Sequence, residues 1–107
     1  MTPYTGIANI YGQEIANAGM IACQQINETG GVLGKKLELI IIDDGSMPDQ
    51  AVRAANTLID EYNCQAIIGN LLSNSRIDVA NKVSLPRKII YLNFSFLYLQ
   101  SLPVHLV

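Results

Sequence analysis

The stretch LELIIIDDGSMPDQAVRAANTLIDEYNCQAIIG, residues 37–69, predicts the fold of this 107-residue chain. It opens with a continuous β-branched run, 37–43, which is typical of a strand covered on both faces. The next segment predicts the start of a helix, because it places Ser46, Pro48 and Asp49 in a pattern that resembles a capping box. A second short apolar run, 65–69, predicts the next strand. The helix between the two strands carries these residues inward: Ala51, Val52, Ala55, Leu58, Ile59 and Tyr62.

The alternation of helix and strand extends to both sides of this stretch. Upstream, residues 11–31 predict a helix closed by Gly30-Gly31 as a left-handed C-terminal cap. Downstream, 73–84 predict a third helix and 88–94 a third strand. Strands that alternate with helices at this interval predict βαβ units, hence an α/β fold with a three-layer, parallel sheet in a single domain, 1–107. The predicted buried faces are Ile15, Ala18, Gly19, Ala22, Cys23 and Ile26 in the first helix, and Ile77, Ala80 and Val83 in the third.

Parallel sheets of this class bind their ligands at the carboxyl ends of the strands. Three segments reach that edge here: 43–46, 70–75 and 93–96. At the start of the third helix, the backbone N–H groups and the hydroxyls of Ser73 and Ser75 would point donors at one place, which suits an anion. The alternative is that one serine merely caps the helix.

Composition excludes several classes of partner. The net charge is −2 and no lysines or arginines form a stripe, which argues against nucleic acid or an anionic membrane as the main partner. The segment MTPYTGIANIYGQ lacks a basic region and an apolar region, so we expect no signal peptide in this chain. No stretch is apolar enough to span a bilayer. Cys23 and Cys64 are interpreted as small buried residues rather than a disulfide or a metal site.

The motifs of common enzymes fail on spacing. GGVLGKK (30–36) has three residues between its outer glycines and Lys36 where a phosphate-binding loop needs Ser or Thr. No dinucleotide fingerprint is present. The acidic pair Asp43-Asp44 suits a receiver domain, but no later strand ends in an acid, so we interpret it as a strand-end turn in which Asp44 holds loop N–H groups. His105 is the only histidine and lies in an apolar tail. We therefore expect no enzyme, no cofactor and no metal site.

Taken together, residues 11–59 and the segment IIGNLLSNSR (67–76) resemble the first lobe of type I periplasmic binding proteins, which include branched-chain amino acid, urea and amide receptors. The resemblance rests on I-N-x-x-G-G-V-L-G-K-K-L (26–37), the D-D-x-S-x-P turn (43–48) and the strand that leads to a serine-rich loop. It covers about residues 6–96. Each motif is weak alone, but as a set they are specific.

The resemblance implies a receptor of two lobes that closes around a small polar solute. The family's ligand carboxylate or amide would be received by Ser73, Asn74 and Ser75, with Ser73 foremost. A second set of contacts would come from the loop that holds Asn93, Ser95 and Phe96. The segment from Tyr11 to Gln13 would wall the cleft with an aromatic ring.

The chain also departs from the family. The family's initial strand lies between the strands that match 37–43 and 65–69, and this chain begins too late to provide it, so we expect a gap in the sheet. The tail 97–107 is atypical, like out-of-frame sequence, and no second lobe follows. The apolar segment FSFLYLQ (94–100) could fill the gap in its own chain or in a partner's, giving a swapped or edge-paired dimer or a higher oligomer.

These observations predict the truncated first lobe of a solute-binding protein whose periplasmic or extracytoplasmic parent serves an ABC-type uptake system. The expected ligand is an amino acid, urea or an amide-like solute, and the parent's partners would be membrane transporter subunits. The fragment alone is expected not to bind tightly. Two alternatives stay open: the ligand-sensing domain of a histidine kinase or other receptor, and a small self-associating structural protein without a ligand.

Overall fold

The computed structural model describes residues 1–93 and contains helices on both sides of a short parallel sheet. A 3-10 turn, Asn9–Tyr11, leads into helix α1, Gly12–Glu28. Helix α2 spans Pro48–Asp60, and strand β1 spans Ala66–Ile68. The remaining elements are helix α3, Ser73–Val79, which continues through a π-helical turn, Ala80–Ser84, into helix α4, Leu85–Arg87, and then strand β2, Ile90–Leu92.

The two strands confirm the predicted parallel pairing. β1 and β2 lie side by side in one direction, with Ile67 opposite Tyr91 at the centre. The α/β class with parallel βαβ connections is therefore confirmed, although each strand is shorter than the sequence predicted. Of the predicted strand 88–94, the last residue, Phe94, lies outside the described residues.

The prediction of a regular strand at 37–43 is wrong. In the described part of the chain, this segment is extended but pairs only at its carboxyl end, through a single parallel bridge between Thr2 and Asp43. The Thr2 N–H donates to the Ile42 carbonyl at 3.0 Å, and the Asp44 N–H donates to the Thr2 carbonyl at 3.0 Å. A strand is defined by its hydrogen-bonded neighbours, and residues 38–41 have none among residues 1–93.

Helix α1 ends as the sequence predicted. Gly30 and Gly31 have positive φ angles, and their N–H groups donate to the carbonyls of Asn27 and Ile26 at 3.2 and 3.0 Å. This is the Schellman arrangement of a left-handed helix end. The predicted inward face of α1 is only partly covered, however, because it borders a cavity: Ile15, Gly19 and Cys23 are half-buried, whereas Ala18, Ala22 and Ile26 are exposed.

The predicted capping box before α2 is wrong. The residue that precedes the helix is Met47, which makes no side-chain cap, and Pro48 takes the first helical position. Ser46 is instead left-handed, with a φ of 57°, and its hydroxyl donates to the Thr5 carbonyl at 2.7 Å. A tertiary partner has therefore taken the hydroxyl that a local cap would have used.

The main core lies between α2, α3 and one face of the sheet. Its central members are Ala55, Ile67, Val79 and Tyr91, each 2% exposed or less. On α3 the buried face is rotated from the predicted one: Ala80 and Val83 are buried as expected, but Ile77 is 43% exposed. Its place is taken by Ser75, Arg76 and Val79. On α2, Ala51, Ala55 and Leu58 are buried, Val52 and Ile59 are half-buried against the core, and Tyr62 lies exposed beyond the helix end.

On the opposite side of the sheet, helix α1 borders a cavity instead of packing closely on the strands. The side chains of Ile68, Ile90 and Leu92 on this face are at least half exposed. Between the segment 37–41 and β1 lies a cavity where a further strand would fit. Cys23 and Cys64 border this cavity as free, half-buried thiols, which corrects the expectation that both are buried.

Candidate functional site

The carboxyl edge of the sheet begins with a turn held by Asp43. One carboxylate oxygen accepts the Gly45 N–H at 2.8 Å and the Thr5 N–H at 3.2 Å, and the other accepts the Thr5 hydroxyl at 2.6 Å. Burial opposes ionisation of this carboxyl, but the hydrogen bonds from Thr5 and Gly45 outweigh it and hold the pKa of Asp43 below its usual value. Asp43 therefore ties the chain's first loop to the strand-end turn.

Asp44 anchors a buried polar network that crosses the sheet edge. Its carboxylate accepts the Ser46 N–H at 3.0 Å, as the sequence predicted for a loop-holding acid, and the amide of Asn70 at 2.7 Å. The Asn70 side-chain oxygen in turn accepts the hydroxyl of Tyr91. All three residues are at most 2% exposed, and burial raises the pKa of Tyr91 far above its ordinary value. The network locks together three chain segments that end at this edge.

Helix α3 starts at this edge with the predicted serine-rich loop. The preceding residue, Leu72, is extended and makes no side-chain cap. The Asn74 side-chain oxygen accepts the Ser75 N–H at 2.8 Å. Ser75 is buried, and its hydroxyl has no hydrogen-bond partner in the described part of the chain, whereas Asn74 is exposed.

The structure brings some of the other predicted site residues to the same edge. Asn93 follows β2 directly, and the Gly69 N–H donates to the Leu92 carbonyl at 3.0 Å, so Asn93 lies next to the loop that leads to α3. The start of α1 is tied to the edge because the Thr2 hydroxyl donates to the Gly12 carbonyl at 2.8 Å. Ser95 and Phe96 lie outside the described residues.

The two predicted wall residues flank Gly12. Tyr11 is 53% exposed, so its ring is available to a ligand. Gln13 is also exposed, but its amide donates to the Asn17 side-chain oxygen at 2.9 Å, one helical turn along α1. The Gln13 amide is therefore already engaged within α1.

Sequence reasoning missed two residues that shape the edge, Thr5 and Tyr91. Tyr91 carried a signal, since a tyrosine in the middle of a buried strand needs a partner for its hydroxyl. Thr5 carried none, because its bond to Asp43 joins residues far apart in sequence.

Within residues 1–93, no group of His, Cys, Asp or Glu could hold a metal ion. Among the helices of the same range, none has the length and apolar character needed to cross a membrane.

The sequence of this chain matches a known protein family. A family model described as "Periplasmic binding protein" matches residues 1–103. The chain belongs to the periplasmic binding protein family. The match reaches into the tail, 97–107, whose atypical character stays a prediction.

Curated members of the family align with most of this chain. An "Amino acid binding protein" of Pseudomonas aeruginosa is 36% identical over 75 residues, which are 70% of this chain and 20% of that protein. The "Leu/Ile/Val-binding protein BraC3" of Rhizobium johnstonii is 33% identical over 81 residues, 76% of this chain and 22% of that protein. The chain thus spans about a fifth of the length of these relatives.

Solved structures of the family share the fold. A "Leucine binding protein LivK" from Thermotoga maritima superposes with a TM-score of 0.75 at 29% identity, covering 87% of this chain and 26% of that one. A substrate-binding protein LivJ from Streptococcus pneumoniae, in complex with isoleucine, superposes with a TM-score of 0.77 at 20% identity, covering 84% of this chain and 26% of that one. The described residues are therefore part of one lobe of the type I fold.

Proposed function

We propose that this chain is part of the first lobe of a solute receptor and that its carboxyl edge supplies one half of the ligand site. The parent protein would capture an amino acid or an amide-like solute for an ABC-type uptake system, outside the cytoplasm and in contact with membrane transporter subunits. The names of the curated relatives, which are binding proteins and not enzymes, support this class of function.

The observation that carries the proposal is the place of Ser73, Asn74 and Ser75. They form the first turn of α3 directly beyond β1, at an edge that the network of Asp44, Asn70 and Tyr91 holds rigid. A carboxylate or amide oxygen at this turn would accept hydrogen bonds from N–H groups and hydroxyls in a preorganised arrangement, which lowers the entropic cost of binding.

The remaining predicted contacts complete this half of the site. Asn93 would add an amide from the neighbouring strand end, with Ser95 and Phe96 following it, and the ring of Tyr11 would cover the apolar part of the solute. Gln13 would contact the solute only after release from Asn17. Because one lobe covers a ligand on one side only, we expect a millimolar Kd, which corresponds to about −4 kcal/mol.

An NMR titration of the full 107-residue chain tests the proposal. L-leucine, L-isoleucine, L-valine, urea and acetamide are added separately at millimolar concentrations to ¹⁵N-labelled protein. We expect at least one of them to shift the backbone amide signals of Ser73, Asn74, Ser75 and Asn93 in a saturable manner.

The matched variants remove one hydroxyl each. Ser73→Ala should weaken binding several-fold, whereas Thr57→Ala, on the opposite end of α2 from the site, should leave it unchanged. The proposal is wrong if none of the five solutes shifts those signals, or if the two variants bind the solute equally well.

A further inference from the structure

The loop 5–8, which we call the clasped loop, is fixed by side chains from the turn 43–46 and hardly by its own burial. Ile7 is 88% exposed, and among residues 5–8 only Ala8 is buried. A segment that buries so little apolar surface has a low local stability. Its position therefore depends on the hydrogen bonds that it receives from the rest of the molecule.

The Ser46 hydroxyl makes two of these bonds. Its oxygen accepts the Ala8 N–H at 3.2 Å, and the same hydroxyl donates to the Thr5 carbonyl at 2.7 Å. Ser46 is 4% exposed, so water does not readily replace either bond. One side chain thus joins both ends of the clasped loop to the strand-end turn.

The backbones of the loop and the turn lie unusually close together. Gly6 has a φ of +88°, and a Cβ at this position would lie 2.4 Å from the Gly45 carbonyl oxygen and 2.7 Å from the Ser46 Cβ. Ser46 itself has a φ of 57°, a conformation that is uncommon for residues other than glycine. The contact is therefore a close and specific one, in which the Ser46 hydroxyl lies directly against the loop.

The clasped loop leads to Tyr11 through a second hydrogen bond. The Ala8 carbonyl accepts the Tyr11 N–H at 3.1 Å. The 3-10 turn Asn9–Tyr11 has no buried residue and no side-chain cap, so it has little else to fix it on this side. The two peptide groups of Ala8 thus connect the Ser46 hydroxyl to the backbone of Tyr11.

We propose that Ser46 is a positioning residue that fixes the ring of Tyr11 beside the solute and so sets a preference for amino acids with large apolar side chains. The inference rests on the proposed solute site, and Ser46 acts on the solute only through Tyr11. A ring that is held before the solute arrives loses less conformational entropy on binding than a mobile one, so more of its apolar contact contributes to affinity.

Amide hydrogen exchange of the ligand-free, full chain tests the connection without any solute. Ser46→Ala keeps the Cβ and removes the hydroxyl. We expect the exchange of the Ala8 and Tyr11 N–H groups to accelerate by at least about tenfold, because the loop loses its buried partner. The N–H groups of Gly31 and Cys64, which bond elsewhere in the chain, should keep their rates.

The matched control is Ser84→Ala. The Ser84 hydroxyl also donates to a distant carbonyl, that of Ile89, at 3.0 Å, but it does so at the amino end of β2, away from the clasped loop. This variant should leave the exchange of Ala8 and Tyr11 unchanged.

Solute titrations measure the effect on specificity. L-leucine and L-alanine are titrated separately into the original chain, Ser46→Ala, Tyr11→Ala and the double variant, and the ratio of the two Kd values is compared. We expect the original chain to bind leucine several-fold more tightly than alanine and Ser46→Ala to lose most of this preference with little change in the Kd for alanine. In the Tyr11→Ala background, Ser46→Ala should have no further effect on the ratio, since it acts through that ring.

Three results would each overturn the role of Ser46 alone: unchanged exchange of Ala8 and Tyr11 in Ser46→Ala, an unchanged ratio of Kd values, or additive effects in the double variant. An original chain that binds neither amino acid would instead refute the proposed function and this specificity role together.

Discussion

Replacing Tyr91 by Phe removes a single oxygen from the buried network at the carboxyl edge. Tyr91 is 2% exposed and donates its hydroxyl to Asn70, which is 0% exposed and donates its own amide to Asp44 at 2.7 Å. In Tyr91→Phe the side-chain oxygen of Asn70 loses this donor in a place that water does not reach.

The expected loss of stability follows from that burial. A buried acceptor left without its donor costs about 1–3 kcal/mol, more than the net value of the hydrogen bond itself. We therefore expect the free energy of unfolding to fall by about 2 kcal/mol, which in a domain of this size lowers Tm by roughly 10 °C. The matched control is Tyr62→Phe, since Tyr62 is 53% exposed and its hydroxyl stays in water.

The buried Tyr91 hydroxyl should also make the free energy of unfolding depend on pH. Burial raises the pKa of Tyr91 in the folded chain above that of an unfolded tyrosine, about 10. The contribution of Tyr91 to the free energy of unfolding is therefore complete below about pH 10. It is lost as pH rises above that value, with a slope of up to about 1.4 kcal/mol per pH unit. Tyr91→Phe should lack this part of the alkaline loss.

Urea unfolding followed by circular dichroism, at pH 7 and at several values from pH 9 to 11, measures both effects. A difference between Tyr91→Phe and Tyr62→Phe of less than about 0.5 kcal/mol at pH 7 would show that the network does not hold the edge. An unchanged alkaline profile in Tyr91→Phe would refute the assignment of that loss to this phenol.

Three further substitutions test the turns. Gly31→Ala should lower the free energy of unfolding by at least about 3 kcal/mol, because φ is +81° and a Cβ would lie 1.9 Å from the Lys35 carbonyl oxygen. The control Gly30→Ala, with φ of +102° and open space around the Cβ, should lower it by about 1 kcal/mol. Equal losses in urea unfolding would contradict this steric reasoning. Asp43→Asn should lower the free energy of unfolding by about 1 kcal/mol at pH 7, because its hydrogen bonds with Thr5 would be weaker. Because the folded pKa of Asp43 is lowered, that difference should persist above pH 4 and vanish as pH falls through the folded value, and a constant difference down to pH 2 would exclude the assignment.

The alternation of helices and strands was predictable from the sequence because apolar periodicity is a local property. The positions of α1, α2, β1 and β2 follow from it, as does the glycine-capped end of α1. The carboxyl edge as the place of Ser73, Asn74 and Ser75 follows from parallel βα order alone. The family resemblance was also readable from sequence, since its motifs lie in fixed order.

Local reasoning failed where a distant group competed for the same atom. Ser46 reads as a helix cap, but its hydroxyl binds Thr5, more than forty positions earlier in a 107-residue chain. Likewise the polar partners of Tyr91 and Asp43 cannot be read from their neighbours in sequence.

The sequence by itself determined the class of fold, the buried face of α2 and the edge at which a ligand would bind. Only the tertiary structure decided that 37–41 is an extended segment without a paired strand among residues 1–93, because β structure is completed by partners and not by propensity. It also decided that Asn70 and Tyr91, rather than a local cap, hold the site's edge. Hydrogen bonds between distant residues form only after the chain has buried their surroundings, so no local pattern encodes them.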